Sequence, residues 1–91
     1  MPDPPPRRYT IEVRPAAARA LKKLPPEAVR PISAAIDGLA ENPRPRGVKK
    51  LTDGDGVHRI RVGNYRILYT IQDRVLVVAV VDVADRREVY R

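Results

Sequence analysis

Val57-His58-Arg59-Ile60-Arg61-Val62-Gly63-Asn64-Tyr65-Arg66-Ile67-Leu68-Tyr69-Thr70 reads as two alternating strands around Gly63-Asn64, a dipeptide suited to a tight hairpin. With a two-residue loop, Val62 faces Tyr65, Arg61 faces Arg66, Ile60 faces Ile67 and Arg59 faces Leu68. Side chains alternate across a strand, so one face carries His58, Ile60, Val62, Tyr65, Ile67 and Tyr69. That face requires a core. The other carries Arg59, Arg61 and Arg66, with Arg61 and Arg66 opposed, an arrangement like-charge repulsion disfavours unless an anion sits over it. A longer loop with a bulge would slip this pairing and change which residues meet.

Working outward, Val75-Leu76-Val77-Val78-Ala79-Val80-Val81 is apolar on both faces and predicts a central strand, reached through a turn at Asp73-Arg74. Glu88-Val89-Tyr90-Arg91 offers a short last strand. Upstream, residues 43–56 hold Arg44, Arg46, Lys49 and Lys50, then a Gly/Asp turn cluster, and read as a loop that Leu51 pins to the core. Residues 16–24 place Ala17, Ala20, Leu21 and Leu24 at helical spacing. Pro25-Pro26 ends that helix and starts another, with the stripe Val29, Ile32, Ile36 and Leu39 running to residue 41 and an irregularity at Pro31. Tyr9-Thr10-Ile11-Glu12-Val13 alternates as a half-buried first strand. The expected class is α+β, in the order β-α-α-β-β-β with a possible fifth strand, a helical hairpin packed on a mainly antiparallel twisted sheet.

Ninety-one residues bound a single domain, expected over residues 8–91 behind a flexible Pro-rich tail at residues 1–7; all ten prolines lie within the first 45 positions. With no Phe or Trp and four Tyr, the core is aliphatic. Eighteen basic against eleven acidic residues leave a formal charge of +7, which favours a polyanionic partner. Fourteen of the eighteen are Arg, whose planar fork suits phosphate and turns the expectation towards nucleic acid. No cysteine is present, so disulfides and thiolate metal sites are excluded. No run approaches the ~18 apolar residues of a membrane span, and no signal peptide is visible, so the expected location is cytoplasmic, with no membrane partner.

Phosphate-loop, dinucleotide and zinc-protease motifs are absent, and the one serine, Ser33, falls on a helix. No metal or cofactor is expected. Asp53 and Asp55 belong to a glycine-rich turn, and His58 alternates with Ile60 and Val62 as a core or edge residue. The chemistry left is Arg59, Arg61 and Arg66, with Arg86, Arg87 and Tyr90 near the C-terminus. Arginine is too basic to accept a proton, but several together hold a phosphate and stabilise charge developing on phosphorus. RNA supplies its own nucleophile, the 2′-hydroxyl, so cleavage there requires neither metal nor side-chain nucleophile. The same residues also fit a basic binding surface without chemistry.

The segment Arg59-Ile60-Arg61-Val62-Gly63-Asn64-Tyr65-Arg66-Ile67-Leu68-Tyr69, with Leu39-Ala40-Glu41-Asn42-Pro43, Lys49-Lys50-Leu51 and Arg86-Arg87-Glu88-Val89-Tyr90, resembles the RelE/ParE superfamily of type II toxin–antitoxin toxins over residues 9–90. RelE-like members are ribosome-dependent mRNA endonucleases, whereas ParE-like members share the fold and inhibit DNA gyrase. The resemblance implies a catalytic set of Arg61, Arg66, Arg86 and Tyr90. Arg66 and Arg86 would stabilise the scissile phosphate, and Tyr90 would assist proton transfer or stack on a base. It implies an RNA- and ribosome-binding set of Arg44, Arg46, Lys49, Lys50, Arg59 and Arg87, with Arg at positions 59 and 61 where the family often has Lys. It also implies a cognate antitoxin, with the ribosome and mRNA as targets and operator DNA bound only through the antitoxin.

Overall fold

The computed structural model describes residues 8–51 and 56–85. The tail at residues 1–7, the Asp53/Asp55 turn and the proposed last strand lie outside them. The elements are β1 (Thr10–Val13), α1 (Pro15–Lys22), α2 (Pro26–Gly38), β2 (Lys49–Lys50), β3 (Val57–Val62), β4 (Tyr65–Gln72) and β5 (Val77–Asp85). They build one sheet in the order β1-β5-β4-β3-β2. β1 runs parallel to β5 and every other pair is antiparallel.

The hairpin of β3 and β4 has the register read from the sequence: Val62↔Tyr65, Arg61↔Arg66, Ile60↔Ile67, Arg59↔Leu68. Gly63 has φ 59, and Asn64 does not share the positive sign. That is the pattern of a type II′ turn, in which glycine takes the first central position.

Both helices start on a proline, Pro15 and Pro26, whose missing N–H costs nothing in a first turn. In α2 the Ala28 N–H donates to the Pro25 carbonyl at 2.9 Å, tightening the first turn, and the helix runs through Pro31. It ends at Gly38 rather than residue 41. Leu39, Ala40 and Glu41 follow in a tighter turn, each N–H donating to the carbonyl three residues back at 3.0 to 3.2 Å. Pro43, two residues on, cannot continue the ladder.

Ala17, Ala28, Ile32, Ile36 and Leu39 pack on Ile60, Ile67, Tyr69, Val78, Val80 and Val83 in an aliphatic core. Val29, expected in the buried stripe, is 43% exposed, and Ala28 replaces it. The stripe runs Ala28, Ile32, Ile36 in steps of four, which turns Val29 about 100° away from the sheet. In β1, Ile11 is half-buried but Val13 is exposed, because β1 is an edge strand and neither helix covers its end.

β5 begins two residues later than expected and runs on to Asp85. The turn out of β4 takes four residues, leaving Val75 exposed and Leu76 at φ 55, with the Leu76 carbonyl accepting from Thr10 N–H at 2.7 Å. β5 carries one extra residue, since Leu68 pairs with Asp82 and Tyr69 with Val80. The fifth strand is β2, inside the segment expected to be loop. Leu51 is exposed and does not pin that loop; its N–H donates to the Val57 carbonyl at 2.8 Å, while Val48 packs on the core. Among the described residues, no helix is long and apolar enough to cross a membrane.

A candidate site on the arginine face of the sheet

With Ile60, Ile67 and Tyr69 turned to the helices, alternation puts Arg59, Arg61 and Arg66 together on the opposite face. Lys49 joins them, because it pairs with Arg59. The next strand contributes the small Ala84 beside Arg66 and Asp82 beside Leu68. The Asp82 carboxylate accepts the Val83 N–H at 2.9 Å. The three arginines differ in setting: Arg61 is exposed, Arg59 half-buried and Arg66 only 6% exposed. A guanidinium at that depth is costly to desolvate and interacts strongly with any charge brought close. The Arg59 Nε is buried and has no hydrogen-bond partner among the described residues. The arrangement suits an anion laid across β3 and β4, with Arg66 beneath it and Arg61 and Lys49 around it.

Lys49, Arg59 and Arg61 also line a cleft of about 570 Å³ between the end of α2 and the outer edge of β3. Arg46 stands at the same cleft. Lys50 pairs with His58 and so takes the opposite side of the sheet from Lys49. Arg44 is remote from this group. Its guanidinium grips Asp73 through two bonds, 2.9 and 3.2 Å, and Tyr9 OH donates to the same carboxylate at 2.6 Å. These contacts tie the segment after α2, the start of β1 and the β4–β5 turn together at the end of the sheet away from Gly63. Arg86, Arg87 and Tyr90 lie outside the described residues.

Nothing local in the sequence marks the Tyr9–Arg44–Asp73 cluster, whose members are far apart in the chain. Arg44 and Tyr9, both bonded to it, hold the Asp73 carboxyl down at about 2. Since an unfolded aspartate titrates near ~3.9, the stabilisation is present above that value and is lost as pH falls through the folded one. An Asp73→Asn variant should therefore show a flatter loss of stability between about pH 4 and pH 2 than the parent. Urea melts across that range measure it, and identical slopes would remove the cluster from the acid response.

His58 Nδ1 lies 2.7 Å from the Gly56 carbonyl, and its ring stacks on Tyr69 with centroids 5.7 Å apart. Both contacts describe a structural histidine. Among the described residues no group of three or more His, Cys, Asp or Glu is placed to hold a metal ion.

The chain is similar to known proteins in sequence and in fold. A family described as the ParE toxin of the type II toxin–antitoxin system parDE matches residues 11–90. The toxin RelE of Mycobacterium tuberculosis is 33% identical over 84 residues, spanning 91% of this chain and 87% of that protein. In the RelBE2 toxin–antitoxin complex of M. tuberculosis, one chain superposes with a TM-score of 0.78 at 32% identity, covering 94% of this chain and 100% of its own length. The archaeal RelE–RelB complex of Pyrococcus horikoshii gives 0.78 at 26% identity, with 89% and 98% covered.

Proposed function

Since the chain belongs to the RelE/ParE superfamily of type II toxin–antitoxin toxins and is RelE-like, we propose that it is a ribosome-dependent, metal-independent mRNA endonuclease. The observation that carries this reading is the opposed pair Arg61 and Arg66 on the sheet face away from the helices, joined by Arg59 and Lys49. An RNA phosphate over that pair lies between two opposed guanidinium groups. The 2′-oxygen attacks phosphorus as the bond to the 5′-oxygen breaks, giving a 2′,3′-cyclic phosphate and a 5′-hydroxyl. Negative charge grows on the phosphoryl oxygens during this step. Fixed cations stabilise it most effectively where water is excluded, as around Arg66. Arg59 and Lys49 orient the strand, and Arg46 extends the contact along the cleft. In this proposal Arg86 joins Arg66 at the phosphate, Arg87 binds RNA, and Tyr90 moves a proton or stacks on a base.

Relatives of known structure occur with RelB, which supports a cognate antitoxin as the partner of this chain. Operator DNA is then bound through the antitoxin.

The ParE description of the matching family favours a second reading, inhibition of DNA gyrase by protein binding. Inducing the chain alone while mapping mRNA 5′ ends and plasmid supercoiling decides between them. New 5′ ends within codons and unchanged supercoiling are expected. Intact mRNA with lost supercoiling would move the chain to the gyrase reading.

A further inference from the structure

β2 covers β3 only at His58 and Arg59, so among the described residues no strand lies beside the outer edge of β3 from Ile60 to Val62. The cleft lies along that edge, closed on its other side by Ala35, Gly38 and Leu39 and at its mouth by Pro45, Arg46 and Gly47. Among the described residues its lining includes four cations, Arg46, Lys49, Arg59 and Arg61, and no carboxylate. The remaining surface is mostly aliphatic. At about 570 Å³ it has the size of a small-molecule site.

Two polar groups there have bonding capacity to spare. The Arg59 Nε is buried without a hydrogen-bond partner among the described residues. Asn42 spends its Oδ1 on the Arg44 N–H at 3.1 Å, which leaves the two donors of its amide nitrogen. At Gly38 the wall faces open space, since a Cβ built there meets nothing within 4 Å.

We infer that this cleft is a nucleotide subsite, taking one RNA base against Ala35, Pro45 and Val62 while Arg46 and Lys49 hold its phosphate. The inference rests on the RNA reading of the arginine face and deepens it. Arg61 belongs to both the cleft and that face, so one strand of RNA reaches both, with the subsite next to the reacting phosphate. An acidic peptide matches the cations as well. The shared Arg61 favours the nucleic acid, because a single polymer then occupies two adjoining sites. The amide donors of Asn42 favour a base with a carbonyl acceptor beside its ring nitrogens, which guanine has and adenine lacks.

The test is an NMR titration of the toxin with guanosine 5′-monophosphate, adenosine 5′-monophosphate, ribose 5-phosphate and a poly-glutamate peptide. Amides of Gly38, Gly47 and Ile60 should shift with the guanosine nucleotide, which should bind at least about tenfold more tightly than ribose 5-phosphate. Adenosine 5′-monophosphate should fall between. Gly38→Leu fills the cleft from a position where the helix gains a better former, and should lose that tenfold advantage while melting no lower than the parent. Ala35→Leu occludes the same wall and serves if the first variant does not fold. Equal binding of guanosine 5′-monophosphate and ribose 5-phosphate, an undiminished Gly38→Leu variant, or cleft shifts with the peptide alone would overturn the inference. Assaying the same preparations on programmed ribosomes separates the two claims. Nucleotide binding without mRNA cleavage sinks the nuclease reading alone, and cleavage without cleft binding sinks the subsite alone.

Discussion

Arg66→Ala should lower mRNA cleavage by about 10²- to 10³-fold, the usual consequence of deleting one fixed charge-stabilising group from a desolvated site. Arg66 is the arginine to choose because it is buried while Arg61, opposite it, is exposed. Water screens Arg61 and leaves Arg66 the larger share of the electrostatic work, so Arg61→Ala should cost less, about tenfold. Arg66→Gln retains most of the side-chain stem and removes only the charge. If its cleavage falls with that of the alanine variant while its melting temperature does not, the loss is chemical rather than structural. Single-turnover cleavage of mRNA on programmed ribosomes measures all three, and growth after induction gives the cellular counterpart. Wild-type rates for Arg66→Gln would end the assignment of Arg66 to the reacting phosphate.

The second large effect is on stability. Tyr69 is fully buried and is the largest such side chain among the described residues. It packs in the core, stacks on His58 and donates its hydroxyl to the Pro43 carbonyl at 2.7 Å, joining the sheet to the segment that leaves α2. Tyr69→Ala should cost about 3–5 kcal/mol, the range for truncating a buried aromatic ring. A chain of this length has a total stability of roughly 5–14 kcal/mol, so the variant should be partly unfolded at growth temperature. Tyr69→Phe keeps the ring and leaves the Pro43 carbonyl unsatisfied, a cost of about 1–3 kcal/mol. Burial pushes the Tyr69 hydroxyl up to about 12. The neutral phenol thus stabilises the fold fully below the unfolded value near ~10, and that contribution is lost as pH rises through the folded one. The phenylalanine variant should lose less stability than the parent across that alkaline window. Urea denaturation at pH 7 and pH 11 tests both statements.

The hairpin was legible in the sequence down to its register, because alternation over fourteen residues and Gly63-Asn64 leave one pairing that buries Ile60, Ile67 and Tyr69 together. The burial of Arg66 was not. Alternation assigns a face, and depth on that face depends on neighbours such as Ala84, which come from a strand nearly twenty residues away. Val29 was misplaced for a related reason: two stripes one residue apart fit the helix equally well, and the sheet selects the one containing the small Ala28. β2 was invisible because two lysines carry no strand pattern; only their pairing with His58 and Arg59 makes them one. Arg44 looked like its neighbours Arg46, Lys49 and Lys50. Its distinction comes from Asp73 and Tyr9, which the fold brings to it. Of the residues carried over from the family, Arg59, Arg61, Arg66 and Lys49 share one face. Arg46 borders the cleft, while Arg44 and Lys50 point elsewhere.

The parallel pairing of β1 with β5 has a consequence for the timing of synthesis. β5 lies between β1 and β4 in the sheet, yet it is the last strand of the described chain to be made. The helices and the hairpin emerge earlier with only part of their shared core, since Val78, Val80 and Val83 arrive only with residues 77–85. Chains grow at about 5–20 residues per second, so the arginine face stays unassembled for several seconds on the ribosome that makes it. A fragment that ends before residue 77 lacks the strand that joins β1 to β4, so its sheet cannot be completed.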